Sequence, residues 1–83
     1  MIKYKFDVYK KLNEIGINTT VARETGVFGQ STMKKLKEGD TAVSMEVINR
    51  LCCVLEIQPR DLIRYVETEE DTENIYKKIY KKA

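Results

Sequence analysis

The side chains with chemistry to offer a partner fall in two short runs, Thr20-Val21-Ala22-Arg23-Glu24-Thr25-Gly26 and Gly29-Gln30-Ser31-Thr32-Met33-Lys34-Lys35-Leu36-Lys37-Glu38-Gly39. The second opens with an amide and two hydroxyls and then carries lysines on one side, the make-up of a helix built to enter a nucleic-acid groove. Catalysis is poorly served. With no histidine, the chain lacks the commonest general acid and base and the commonest metal ligand. Its serines and cysteines have no obvious activator, and its carboxylates stand beside lysines or in the acidic stretch after Val66. An enzyme is therefore not expected. Cys52 and Cys53 are adjacent; neighbouring thiols close a strained ring, so neither a disulfide framework nor a zinc site is expected, and a reducing compartment suits them. No cofactor or small-molecule ligand is implied.

These runs need helices to hold them. Ala22 stands four residues before Gly26, with Val21 before it and Val27 after the glycine. A small side chain lets two helices cross closely, and a glycine can end the first in a left-handed cap. Hydrophobic spacing predicts helices nearly throughout. Phe6, Val8, Tyr9, Leu12 and Ile15 make the inward stripe of the first, which Gly16 ends. Asn18, Thr19 or Thr20 can cap the second, Asn18 being preferred, because a short side-chain oxygen accepts an orphan amide hydrogen. The third runs from about Gln30 to Glu38, with Met33 and Leu36 inward and Gly39 stopping it. Ser44 caps the fourth, whose stripe is Val47, Ile48, Leu51, Cys52 and Leu55. Gln58-Pro59 opens the fifth, since proline suits a first helical turn, and Leu62, Ile63 and Val66 follow. Ile2, Tyr4 and Phe6 alternate like a strand, and Ile63 and Tyr65 with Val66 offer an antiparallel partner that would tie the termini.

The 83 residues, 42% hydrophobic and 34% charged, make one modest core. No apolar run reaches the length of a membrane span and none reads as a signal peptide, so a cytoplasmic protein is expected. The net charge of +2 hides three segments. Residues 1–66, the expected domain, hold 11 Lys and Arg against 8 Asp and Glu. Residues 67–73, an expected linker, hold five acids and no base, and residues 74–83 hold four lysines and no acid. In that tail Ile75, Tyr76, Ile79 and Tyr80 would share a helical face, with Lys77, Lys78, Lys81 and Lys82 on the rest. So short a helix is marginal alone and needs a partner, either its own body or a second subunit.

Val21-Ala22 with Gly26-Val27, Gly29 to Met33 with Leu36 and Gly39, and Ser44 to Ile48 leading to Leu51-Cys52-Cys53-Val54-Leu55 and Asp61-Leu62 resemble the Cro and phage-repressor (XRE) helix-turn-helix family, over about Phe6 to Val66. The resemblance is to its small stand-alone regulators from bacteria and mobile elements. It implies an all-α, five-helix repressor-like domain, to which the strand pair and an amphipathic C-terminal helix or tail would be additions. Cys52 stands where the family usually keeps a small buried alanine, and cysteine serves as a small hydrophobe. There are departures. The spacing from Gly26 to Met33 is one residue longer than usual, around Phe28; Lys37 stands where a glutamate is common; and the second helix starts late. They bear on docking angle and base register, not on the fold.

The resemblance implies a transcriptional regulator that binds double-stranded DNA through the third helix, as a homodimer on a palindromic operator, with no membrane partner. Gln30 matches a glutamine that often reads a base or braces a phosphate, and an amide can bond bidentately to adenine. Ser31 and Thr32 would meet a base edge or the backbone, with Lys34 and Lys35 next along the exposed side. Asn18, Thr19 and Thr20, at a helix N-terminus, suit a phosphate, and Lys37 and Thr41 would touch the backbone beyond. Plainer readings stay open: Gln30 and Ser31 as caps, Thr19 and Thr20 as caps, the lysines as a solvated face. Met33 and Leu36 read as core. Tyr76 and Tyr80 fit packing or dimerisation, a frayed tail, or base stacking. Candidate dimer surfaces are the fifth helix with the terminal strand, and the tail's apolar stripe. The alternative function is a protein-interaction module on the same scaffold, an antitoxin or adaptor whose tail wraps its partner.

Overall fold

Asp7 starts the helical body: its carboxylate accepts the Lys10 amide hydrogen at 3.0 Å and opens α1, Val8–Glu14. This computed structural model describes residues 1–80; Lys81 and Lys82 of the expected tail lie outside the described residues. Val8 and Leu12 of α1 are buried and Tyr9 half-buried. Phe6 and Ile15, expected in the same stripe, are exposed. Phe6 precedes the cap, and Ile15 is the C-cap residue, where the chain leaves the helical path toward Gly16 at φ +92°. Ile17 turns back toward the core instead, its N–H donating to Leu12 O at 2.8 Å.

The other helix ends follow local chemistry. Asn18 caps α2 (Thr19–Thr25), its side chain accepting the Val21 amide hydrogen at 2.8 Å. The helix closes on Gly26 at φ +72°, a left-handed conformation that costs glycine little. Gly29 precedes α3, Gln30–Glu38, and Gly39 ends it. Ser44 Oγ accepts the Val47 amide hydrogen at 3.2 Å and opens α4, Met45–Leu55, which ends on Glu56 at φ +56°. In α4, Ile48 and Leu51 are buried, while Val47, Cys52 and Leu55 are half-buried. Helix α5 is the single turn Pro59–Leu62, with the Asp61 carboxylate accepting the Gln58 amide hydrogen at 3.2 Å.

Beyond Leu62 the chain becomes extended rather than continuing as a helix to Val66. Strand β2, Ile63–Tyr65, pairs antiparallel with β1, Ile2–Tyr4, setting Ile2 opposite Tyr65, Lys3 opposite Arg64 and Tyr4 opposite Ile63. The expected tie between the two ends of the domain is thus formed. The core is made by α1–α5 and the turn between α2 and α3: Val8, Leu12, Ala22, Phe28, Met33, Leu36, Ile48, Leu51 and Leu62.

Thr68 Oγ1 then accepts the Asp71 amide hydrogen at 3.2 Å and starts a last helical stretch. It begins as α6 (Glu69–Asp71), passes through one π-helical segment (Thr72–Tyr76) and ends as α7 (Lys77–Tyr80). Helical backbone therefore begins within the acidic segment. Every residue from Glu73 to Tyr80 is exposed. The molecule measures 54 × 22 × 19 Å with a radius of gyration of 15.4 Å, against about 12 Å for a compact chain of this length. The excess is this helix, standing away from the core.

Candidate nucleic-acid interface

The geometry of α3 is set before the helix begins. Gly26 turns the chain, Val27 and Phe28 follow, and Phe28 is 2% exposed, among the largest fully buried side chains. The turn thereby drives an aromatic ring into the core. From α4, Arg50 reaches the same turn: one guanidinium nitrogen donates to Val27 O at 2.8 Å and another to Glu46 Oε1 at 2.8 Å. Neither Phe28 as a core anchor nor Arg50 as a brace was found from the sequence. The usable signals were an aromatic between two turn glycines and a Glu-Arg pair four residues apart on one helix face.

On α3, Met33 and Leu36 are buried. At about 100° per residue, Ser31, Lys34 and Glu38 lie along the opposite line, and all three are exposed. Gln30, the first residue of α3, and Lys37 are exposed on the flanks. Lys37 Nζ sits 5.9 Å from the centre of the Tyr9 ring, within reach of a cation–π attraction. Tyr9 also meets the start of α2, its hydroxyl 3.1 Å from Thr19 Oγ1. One tyrosine on α1 thus joins the N-terminal turn of α2 to the far end of α3.

The remaining residues singled out from the sequence are placed differently. Lys35 is half-buried, with its Nζ donating to Ala42 O at 2.9 Å. Thr41 is half-buried and donates to Ile2 O at 3.0 Å. Both hold the loop after α3, which Tyr4 also ties by donating to Asp40 O at 3.1 Å. Burial, then the Asp40 charge, pushes the Tyr4 phenol above its ordinary range. Thr32 is half-buried and lines the cleft containing Phe28, Ser44 and Arg50. Asn18 is exposed with its side chain engaged as a cap, and Thr20 is exposed. The structure therefore gathers Gln30, Ser31, Thr32, Lys34 and Lys37 on one helix, with Asn18, Thr19 and Thr20 at the start of its neighbour, while Lys35 and Thr41 tie down the loop that follows.

Among the described residues, no group of three or more His, Cys, Asp or Glu side chains is placed to hold a metal ion, and no helix is long and apolar enough to cross a membrane. Two helices joined at a glycine turn, the second presenting polar side chains on its outer face, form a helix-turn-helix motif. The family model of the Cro/C1-type helix-turn-helix DNA-binding domain matches residues 7–68, and the chain belongs to that family. No curated protein and no solved structure matches it significantly.

Proposed function

We propose that this protein is a small bacterial or phage transcriptional regulator that acts in the cytoplasm. As a homodimer it occupies a palindromic operator and blocks or recruits polymerase. The observation that carries the reading is the outer face of α3: Gln30, Ser31 and Lys34 exposed together on a helix braced by Phe28 and Arg50. In the major groove, Gln30 and Ser31 meet base edges, an amide being able to bond two positions of adenine. Lys34 and Lys37 meet phosphates, and the first turn of α2, Asn18 to Thr20, meets the backbone of the same half-site. Thr32, half-buried beside Ser31, meets the DNA backbone, and Lys35 and Thr41 contribute by holding the loop after α3. Residues 1–66 form the DNA-binding domain, 67–73 the acidic joint and 74–83 the tail. A module of this size reads few base pairs, so two copies on half-sites about one helical turn apart supply the specificity. No catalysis or cofactor is invoked.

Fluorescence anisotropy of a labelled duplex, measured for wild type and Lys34→Glu at two salt concentrations, tests the reading. Phosphate-driven binding weakens with salt by a log-log slope of about −0.9 per phosphate neutralised. Salt-sensitive binding that Lys34→Glu abolishes supports α3 as the DNA-facing surface. Undiminished binding by a folded Lys34→Glu variant moves the contact elsewhere, and absence of binding at low salt sinks the proposal in favour of a protein-interaction module.

A further inference from the structure

The last helix carries a four-residue rhythm: Glu69-Glu70-Asp71-Thr72, Glu73-Asn74-Ile75-Tyr76, Lys77-Lys78-Ile79-Tyr80. The third and fourth positions of each block, Asp71, Thr72, Ile75, Tyr76, Ile79 and Tyr80, line one groove, whose body end is closed by Tyr65 and Glu67. The first and second positions form two flanking rows. Each row is acidic at its start, with Glu69 and Glu73 in one and Glu70 in the other, and basic at its end, with Lys77 and Lys78.

A straight α-helix cannot keep such a stripe in line, because four residues advance it by about 400° and the stripe drifts by about 40° per turn. The π-helical segment Thr72–Tyr76 winds more widely and takes up that drift. Its effect is an apolar strip exposed to a degree unusual for these residue types: Ile75 55%, Tyr76 60%, Ile79 64% and Tyr80 63%. Tyr76 and Tyr80 stack within it at 4.7 Å between ring centres.

We infer that this strip is the seam of an antiparallel pairing with a second copy of the chain, centred near Ile75 and Tyr76. The inference rests on the homodimer reading above and names its surface. Charge chooses both occupant and direction. In the antiparallel arrangement that sets Ile75 level with the partner's Tyr76, Glu73 of each copy lies level with the partner's Lys78, Thr72 with the partner's Ile79, and Asp71 with the partner's Tyr80. The acidic start of each helix, Glu69 to Glu73, then runs toward the lysine-bearing end of its partner. A parallel arrangement would stack acid on acid and lysine on lysine, which costs free energy in any pair of adjacent helices. DNA does not fit the strip, because its first half is acidic. The helix dipoles also oppose one another favourably in the antiparallel form.

Sedimentation equilibrium at micromolar concentration, with and without operator-length DNA, and cysteine cross-linking test this. The proteins are the full chain, Ile75→Asp/Ile79→Asp, and single-cysteine variants on a Cys52→Ala/Cys53→Ser background. Wild type is expected to be dimeric and the double aspartate variant monomeric with an unchanged Tm for the body. Ile75→Cys, near the two-fold axis, is expected to form a disulfide dimer, and Tyr80→Cys is not. Self-cross-linking at both positions means a parallel pair and overturns the inference, as does cross-linking at neither. A double aspartate variant that stays dimeric places the interface elsewhere and leaves the homodimer reading standing. A wild type that is monomeric under all conditions removes both.

Discussion

Arg50 spans twenty-three residues to hold the carbonyl of Val27 at 2.8 Å, so the turn before α3 is braced from α4 as well as from α2, where Thr25 Oγ1 accepts the Val27 amide hydrogen at 3.4 Å. The second guanidinium bond, to Glu46 at 2.8 Å, keeps the head aimed at the turn. A charge-assisted bond to a carbonyl contributes somewhat more than a neutral one, but this guanidinium is partly solvated. Arg50→Ala is therefore expected to cost only about 1 kcal/mol in urea denaturation. DNA affinity should fall by more than the stability loss accounts for, because the start of α3 is released. Equal binding by a folded Arg50→Ala variant in an anisotropy titration would show that the brace is irrelevant to docking.

Phe28 is the larger anchor. It is buried in the turn that precedes α3, and truncating a buried phenylalanine costs about 3–5 kcal/mol. For a domain whose whole stability is on the order of 5–15 kcal/mol, Phe28→Ala should be largely unfolded or melt far below wild type. Phe28→Leu, which keeps most of the volume, should fold. Circular dichroism melts of the two variants check this, and a Phe28→Ala protein with a near wild-type Tm would contradict the burial.

At the end of α4 a stabilising change is available. Glu56 holds φ +56°, a conformation that costs an L-residue about 1 kcal/mol and glycine almost nothing. Glu56 donates its backbone N–H to Cys52 O, a bond glycine retains. Glu56→Gly is expected to raise stability by up to about 1 kcal/mol, visible as a higher urea midpoint with the same slope. A lower midpoint would mean that the carboxylate has a contact outweighing its backbone strain.

Features set by neighbouring residues were legible in the sequence. The caps at Asn18 and Ser44, the opening of α5 at Gln58-Pro59 and the stops at Gly26 and Gly39 each depend on one turn of backbone, and each stands where its residue type predicts. The strand pair was legible from alternation at both ends. What escaped depends on chain separation. Nothing near Lys35 in sequence says that its ammonium will meet Ala42 O, and nothing near Thr41 points to Ile2. The outward stripe of α3 could be drawn from periodicity, but which lysine was free on it could not. Ile15 misled because a periodic stripe carries no mark of the residue at which the backbone leaves the helix.

Acid should loosen the last helix. The N-terminal ammonium pairs with the Asp71 carboxylate, and hydrogen bonding from that ammonium is the chief reason the carboxyl is held below the ordinary carboxylate range. Because the folded value is depressed, its contribution is fully present above the unfolded value and lost as pH falls through the folded one. Signals of Glu69–Tyr80 in an NMR titration should therefore stay constant near neutrality and shift toward frayed positions only in that acid range. Asp71→Asn should remove this contribution to the profile. An unchanged profile in Asp71→Asn would assign the acid transition to the neighbouring glutamates.

Lys34 and Lys35 are adjacent in sequence, and the structure places them differently. Lys34 is exposed on the outer line of α3; Lys35 is half-buried with its ammonium on Ala42 O at 2.9 Å. Removing a lysine that neutralises a phosphate reduces the salt slope of binding by about 0.9. Lys34→Ala should therefore weaken binding chiefly at low salt, flatten the slope by about that amount, and leave the urea midpoint close to wild type. Lys35→Ala should do the reverse, keeping the slope while lowering stability by about 0.5–1.5 kcal/mol for a lost hydrogen bond. Binding isotherms across a salt series, paired with urea melts, separate the outcomes. If Lys35→Ala flattened the slope and Lys34→Ala did not, the DNA-facing line of α3 would have to be redrawn through Lys35, rotating the docked helix by about 100°.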